Sequence, residues 1–241
     1  MNLTLDFGNT LIKAGIFEQG DLVHFESHAN FTQKKLENML KKFRIEGAIA
    51  SSVVNDSLPI ENFLQKNYHF VKLNPGTVLP IKNHYETPGS LGMDRLAGIS
   101  GANFIFPKKN VLVINMGTCI TYDIVTSRAE YFGGNISPGI DMRLKALNTF
   151  TDRLPLVRKQ FSNTLLGRST SSAISSGVIM GAYFELEGFI SAYRKKYKEL
   201  KVLLTGGDAA IFETMIKSKI FAVPNLVLYG LNKILSVNDP N

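Results

Sequence analysis

Two stretches of this chain share one order of apolar and polar positions. Residues 3–17 read LTLDFGNTLIKAGIF: an apolar strand stops at Asp6, turns through Gly8, Asn9 and Thr10, and resumes as a second strand carrying Lys13. Residues 112–125 read LVINMGTCITYDIV and follow the same grammar, with Asn115 in the place of Asp6 and Gly117 in the place of Gly8. A third strand-like run follows each hairpin, Asp21–Glu26 in the first half and Glu130–Ile136 in the second. Beyond them Leu36, Met39, Leu40 and Phe43 fall at i, i+3, i+4, i+7, the stripe of an amphipathic helix, and Gly47 is expected to stop it. The pattern then predicts a buried strand over 48–54, a helix over 59–66 and a strand over 69–73. A helix begins at Asp94, after a loop rich in Gly and Pro. The second half continues with a long helix from Ser171 to about Tyr197, a strand over 201–205, and helices starting near Asp208 and Asn225.

Strands that alternate with helices give a sheet with parallel members and helices on its faces. A meander of three strands ahead of that alternation makes each half a mixed sheet. The expected fold is therefore α/β, duplicated, each half a mixed sheet flanked by helices. Pro107 and the charged pair Lys108-Lys109 interrupt the apolar pattern, which sets expected domains of 1–108 and 109–241.

Composition narrows the class. The 241 residues are 44% hydrophobic and 20% charged, enough apolar mass for a packed core and against disorder. The net charge of +7 favours anionic partners in general. The cations are scattered, with no basic stripe interleaved with aromatics, so no nucleic-acid partner is expected. The single Cys119 forms no intramolecular disulfide, as suits a reducing compartment. No apolar run reaches the ~18 residues of a membrane span and no signal sequence is visible. A cytoplasmic protein with no membrane partner is expected. The four histidines show no metal-ligand spacing.

The chemistry concentrates at the hairpins. Asp6 puts a carboxylate at the mouth of a strand, where it can meet a ligand or a metal ion. Gly8 lets the backbone approach a ligand closely, and Asn9 and Thr10 offer donors that suit phosphate oxygens. A strand-end Asp that only caps a turn would look the same in isolation; the duplication favours the functional reading. Asp94 in a helix's first turn can likewise be a dipole partner, and Ser169-Thr170 reads as a helix N-cap.

These hairpins resemble those of the acetate and sugar kinase, Hsp70 and actin superfamily, whose duplicated ribonuclease-H-like domains clasp ATP. Four further motifs make the chain similar to the type III pantothenate kinases: YETPGSLGMDR over 85–95, GGNISPG over 133–139, TSSAISSG over 170–177, and LTGG over 204–207. The match runs over nearly the whole chain, in order. The resemblance implies transfer of the γ-phosphoryl group of ATP to pantothenate, the first step toward coenzyme A. It implies that Asp6, Phe7, Gly8, Asn9, Thr10, Leu11, Ile12 and Lys13 form the first phosphate hairpin, with Asp6 holding Mg²⁺ through water. Thr118, Gly206 and Gly207 become nucleotide contacts. Asp94 becomes the general base, and Tyr85, Gly92, Met93, Asp94, Arg95 and Thr170 the pantothenate site, Arg95 pairing with the acceptor's carboxylate. The family is dimeric, so a homodimer is expected, with the helix over 171–197 as the candidate face.

The departure is Asn115, where the family has an Asp that coordinates a monovalent cation, K⁺ or NH₄⁺. A neutral amide there predicts a weaker cation requirement. Two other functions fit the same fold: a kinase for another small hydroxylated acceptor, and a non-catalytic nucleotide-binding regulator. Retention of Asp6 and Asp94 disfavours the latter.

Overall fold

The computed structural model describes residues 1–52, 57–161 and 164–239. The chain divides into two compact units, one of Met1–Lys108, Val125–Gly133 and Asn225–Asn241, the other of Lys109–Ile124 and Gly134–Pro224. Among the described residues no helix is long and apolar enough to cross a membrane.

In the first unit, β1 (Asn2–Phe7), β2 (Ile12–Glu18) and β3 (Asp21–His28) form the expected meander. Strands β4 (Gly47–Ser52) and β5 (His69–Lys72) add in parallel, giving the order β3-β2-β1-β4-β5. Alternate residues of a strand face opposite sides. Leu3, Leu5, Ala48 and Ala50 accordingly pack with Leu36 of α1 (Gln33–Leu40) and Leu64 of α2 (Leu58–Asn67). Ile49 lies in another cluster with Ala97 of α3 (Met93–Ile105) and Leu228, Leu231 and Ile234 of α4 (Leu226–Val237).

Three local readings differ from the sequence pattern. Helix α1 ends at Leu40, with Lys41 as its C-cap, so Phe43 reaches the core from the following turn and Gly47 opens β4 instead of stopping a helix. The strand expected over 48–54 is described to Ser52; Val53 and Val54 lie outside the described residues. Residues 225–241, which the division at 108 places in the second half, belong to the first unit, because the apolar face of α4 is buried among residues of β4 and α3.

The second unit is built on β7 (Val111–Met116), β8 (Cys119–Val125) and β9 (Glu130–Pro138), with β10 (Lys201–Thr205) parallel to β7 and β11 (Phe221–Ala222) parallel to β10. The last residue of β8 and the first four of β9 fall in the first unit, where β6 (Lys82–Asn83) pairs with Glu130 and Tyr131. The 27-residue α6 (Thr170–Lys196) buries Ile174, Val178, Ala182, Leu186 and Ile190 on one stripe, against Leu112, Ile114, Val202 and Leu204 of the sheet. Its Ser169 N-cap and Ser172 form a capping box. Helix α5 (Ile140–Thr149), the helix that follows the third strand of this half, precedes it, and α7 is the short turn Ala209–Glu213. Each unit is thus a sheet flanked by helices, the expected α/β class.

Candidate active site

The ends of β1 and β4 assemble the acidic part of the site in the first unit. Register places Lys13 beside Asp6 on one side and Ser51 on the other. The Ser51 hydroxyl donates to Asp6 Oδ1 at 2.8 Å. The Asp6 carboxyl is pushed up to about 6, chiefly by loss of hydration and with Asp94's charge adding to it, while the Ser51 hydrogen bond and Lys13 act against the shift. Asp6 and Asp94, 88 positions apart in sequence by their numbers, are therefore close enough to repel. A divalent cation would relieve that repulsion. Mg²⁺ bound with a nucleotide takes most ligands from phosphate and water, so one or two carboxylates suffice, and this donor set fits it. Among the described residues no cluster of three or more His, Cys, Asp or Glu side chains is arranged to hold a metal by itself.

The hairpin tip closes through Gly8 N–H donating to the Leu11 carbonyl at 3.2 Å. Asn9, Thr10 and Leu11 are exposed there. Phe7 is buried in the sheet core and Ile12 packs against it, so these two offer a ligand only their main chain.

The loop before α3 makes a 3₁₀ turn over Pro88–Ser90, and Gly92 is the residue that enters the helix. Asp94 stands in its first turn, partly buried, as does Met93. Arg95 is only 7% exposed, and its guanidinium lies over the Tyr85 ring, 5.6 Å from the centroid. The structure thus brings Asp94 toward Asp6 and, one residue on, Arg95 onto Tyr85.

In the second unit the corresponding strand ends meet. Asn115 is partly buried and pairs in register with Thr205 on β10. Gly117 N–H donates to the Cys119 carbonyl at 3.0 Å, leaving Thr118 exposed at the tip. Gly206 holds φ +100° and a Cβ there would strike the Met116 backbone, so the turn after β10 requires glycine. Gly207 is exposed beside it, and Asp208 N–H donates to the Met116 carbonyl at 3.1 Å. Thr170 is exposed at the first turn of α6. The donor set around Asn115 offers an amide and a hydroxyl, and the neighbouring Asp208 carboxylate already holds Lys159 at 2.6 Å. Burial disfavours the Lys159 charge, but Asp208 and Asp141 outweigh it and hold its pKa up.

Behind Thr118 lies a second polar cluster. Gly139 N–H donates to the Thr118 carbonyl at 3.1 Å, and the preceding Pro138 carbonyl accepts from Arg143 Nε at 2.7 Å. Glu185 on α6 accepts from Arg143, from Ser137 and, at 2.8 Å, from the fully buried Tyr122. Although burial pushes the Glu185 carboxyl up, those donors hold it below its usual range; burial together with Glu185 pushes the Tyr122 hydroxyl up.

Sequence reasoning missed Ser51, Lys159, Asp208 as a partnered carboxylate, and Glu185. Ser51 had a faint signal, the polar end of an otherwise apolar strand; the others depend on tertiary pairing.

Comparison with known proteins adds to this geometry. A family model for type III pantothenate kinase matches residues 2–192. The chain is 45% identical over 240 residues to a type III pantothenate kinase of Phocaeicola vulgatus, covering 99% of each. It is 44% identical over 243 residues to one of Christiangramia forsetii, again 99% of each. Among solved structures, a Campylobacter jejuni protein described as a candidate Baf family transcriptional activator aligns with a TM-score of 0.61 at 23% identity, covering 98% of both chains. A Sinorhizobium meliloti protein described as a candidate 2-dehydro-3-deoxygalactonokinase aligns at 0.58 and 12%, covering all of both. At those identities the structural matches bear on the fold alone, which is that of the sugar kinase and actin-like ATPase class.

Proposed function

This chain belongs to the type III pantothenate kinase family, and we propose that it transfers the γ-phosphoryl group of ATP to the primary hydroxyl of pantothenate, giving 4'-phosphopantothenate. The observation that carries the reading is the pair Asp94-Arg95 at the start of α3: a carboxylate whose charge reaches Asp6, followed by a nearly buried guanidinium on an aromatic ring. Phosphoryl transfer asks the protein for positioning, charge neutralisation and a proton acceptor, with little covalent chemistry. Asp94 takes the hydroxyl proton as the oxygen attacks phosphorus. Arg95 holds the acceptor's carboxylate with its planar fork, and Tyr85 borders the same place. Gly92 and Met93 supply main chain around Asp94, and Thr170 contributes a hydroxyl to acceptor binding. The exposed tip of Asn9 and Thr10, the main chain over 6–12, and Lys13 take the phosphates. Thr118, Gly206 and Gly207 are the nucleotide contacts of the second unit. Asp6 would hold Mg²⁺ through water; the bound ion would neutralise phosphate charge.

The domains 1–108 and 109–241 are the duplicated halves in this reading, with residues 225–241 returning to the first unit. The protein works as a homodimer in the cytoplasm, with α6 at the subunit face, and has neither a nucleic-acid nor a membrane partner. A monovalent cation, K⁺ or NH₄⁺, has at most a weak place at Asn115.

The deciding experiment is ATP turnover by the purified protein. Turnover that rises only on addition of pantothenate is expected. Turnover with a different hydroxylated acceptor would replace the substrate, and nucleotide binding without turnover on any acceptor would favour a regulator.

A further inference from the structure

On β9, Tyr131 and Gly133 point to one face and Phe132 to the other, as alternate residues of a strand must. Each of the three meets the segment that leads into α3. Strand β6 pairs with Glu130 and Tyr131, and His84 N–H donates to the Tyr131 carbonyl at 2.8 Å, which fixes His84 and Tyr85 along β9. Phe132 stacks on His84 with centroids 4.9 Å apart and planes 13° apart. The fully buried Tyr131 ring lies nearly parallel to Tyr85, centroids 6.1 Å apart and planes 12° apart. Gly133 has φ +120°, and a Cβ there would stand 3.0 Å from Tyr85 Cε2 and 3.1 Å from Cδ2. No larger residue leaves the ring where it is.

We infer that Tyr131 and Gly133 are positioning residues of the acceptor site: they fix the Tyr85 ring and, through it, the Arg95 guanidinium. The inference rests on the pantothenate kinase reading for what Arg95 binds. A guanidinium on a flexible stem loses rotamer freedom when it pairs with a carboxylate; stacked on a ring that is itself held, it has lost that freedom before the acceptor arrives. Tyr131 does this without touching the acceptor.

The test uses the full-length chain and the variants Tyr131→Leu, Tyr131→Phe and Arg95→Lys. Tyr131→Leu should raise the KM for pantothenate about three- to tenfold, the range of a guanidinium–ring contact, with kcat and the KM for ATP nearly unchanged. Tyr131→Phe, which keeps the ring, should restore the wild-type KM. Adding Tyr131→Leu to Arg95→Lys should cost little more than Arg95→Lys alone, because both act through one group. Equal shifts in both KM values, a Tyr131→Phe as impaired as Tyr131→Leu, or effects that multiply would each overturn the inference. A second measurement does not depend on the acceptor or on the folding of Tyr131→Leu. In the wild-type protein the Arg95 Nε–H resonance, assigned with Arg95→Lys, should report a far more ordered side chain than exposed Arg168. An Arg95 as mobile as Arg168 would overturn the stack itself, whereas absence of turnover with pantothenate in an enzyme with an ordered Arg95 would overturn only the choice of substrate.

Discussion

Ser51 donates its hydroxyl to Asp6 across the parallel pair β1 and β4, and this 2.8 Å bond joins two residues 45 positions apart. It acts against a desolvation that leaves Asp6 titrating near 6, above its ordinary 3.8. A folded-state carboxyl raised above its unfolded value binds protons more tightly in the native state. Asp6 therefore destabilises the metal-free fold at neutral pH, and that cost is relieved as pH falls from about 6 toward 4.

Asp6→Asn should accordingly stabilise the metal-free protein by up to about 3 kcal/mol near pH 7.5, while abolishing turnover. The gain should shrink toward about pH 4.5, where the wild-type carboxyl is protonated. Urea denaturation at both pH values measures it. A variant no more stable than wild type at the higher pH would mean that Ser51 and Lys13 compensate fully.

Glu185 makes the opposite case. Its pKa is held down, so its contribution is present above the unfolded value of 4.5 and is lost as pH falls through the lower folded value. Glu185→Ala removes the acceptor of a buried Tyr122 hydroxyl and of Arg143, and should cost about 2–4 kcal/mol. Glu185→Gln, which keeps a carbonyl for one of them, should cost less. Equal and small losses in the two variants by denaturant titration would show the cluster to be dispensable.

These pairs explain what was legible in the sequence and what was not. Both hairpins, the stripe of Leu36, Met39 and Leu40, and the long helix after Ser169 were readable because each is fixed by residues a few positions apart. The weakly amphipathic segment 140–149, which buries only Ile140 and Leu144, did not give its bounds in that way. Nor did the two-residue strands β6 and β11. The return of the C-terminal helix to the first unit depends on Leu228, Leu231 and Ile234 finding Ala97 and Ile49, a matter of tertiary packing. In the site, Asp6, Asp94 and Arg95 were named from motifs, whereas Ser51 needed the β1–β4 register and Tyr131 needed the β6–β9 pairing.

Asp94→Asn should leave the fold and substrate binding largely intact while lowering turnover by about two to four orders of magnitude, the range for a lost general base. Removing one of two repelling carboxylates should also lower the pKa of Asp6. Steady-state kinetics with pantothenate decides the matter: near-normal turnover would show that Asp94 is not the base.

Arg95→Lys keeps the charge and loses the planar fork. The expected result is a raised KM for pantothenate with a smaller change for pantothenol, which lacks the carboxylate. Equal impairment on the two acceptors would argue against a carboxylate-binding Arg95.

The resemblance to type III pantothenate kinases implies a cation-binding carboxylate at position 115, where this chain carries the amide of Asn115. A carboxylate attracts a partly dehydrated monovalent cation through a full charge, an amide oxygen only through a dipole, so cation affinity should fall. The register neighbour Thr205 adds a hydroxyl but no charge. Asp208, whose N–H donates to the Met116 carbonyl, does carry a charge there, yet its carboxylate already pairs with the Lys159 ammonium, which Asp141 also holds at 3.1 Å. The enzyme should therefore depend on K⁺ or NH₄⁺ more weakly than its relatives, and Asn115→Asp should strengthen the dependence. Activity titrated with K⁺ at constant ionic strength, a bulky organic cation making up the balance, measures this on wild type and variant. Strong saturable activation of the wild type would sink the prediction, and would mean that the strand end recruits its ion through hydroxyl, carbonyl or phosphate oxygens with no carboxylate at 115.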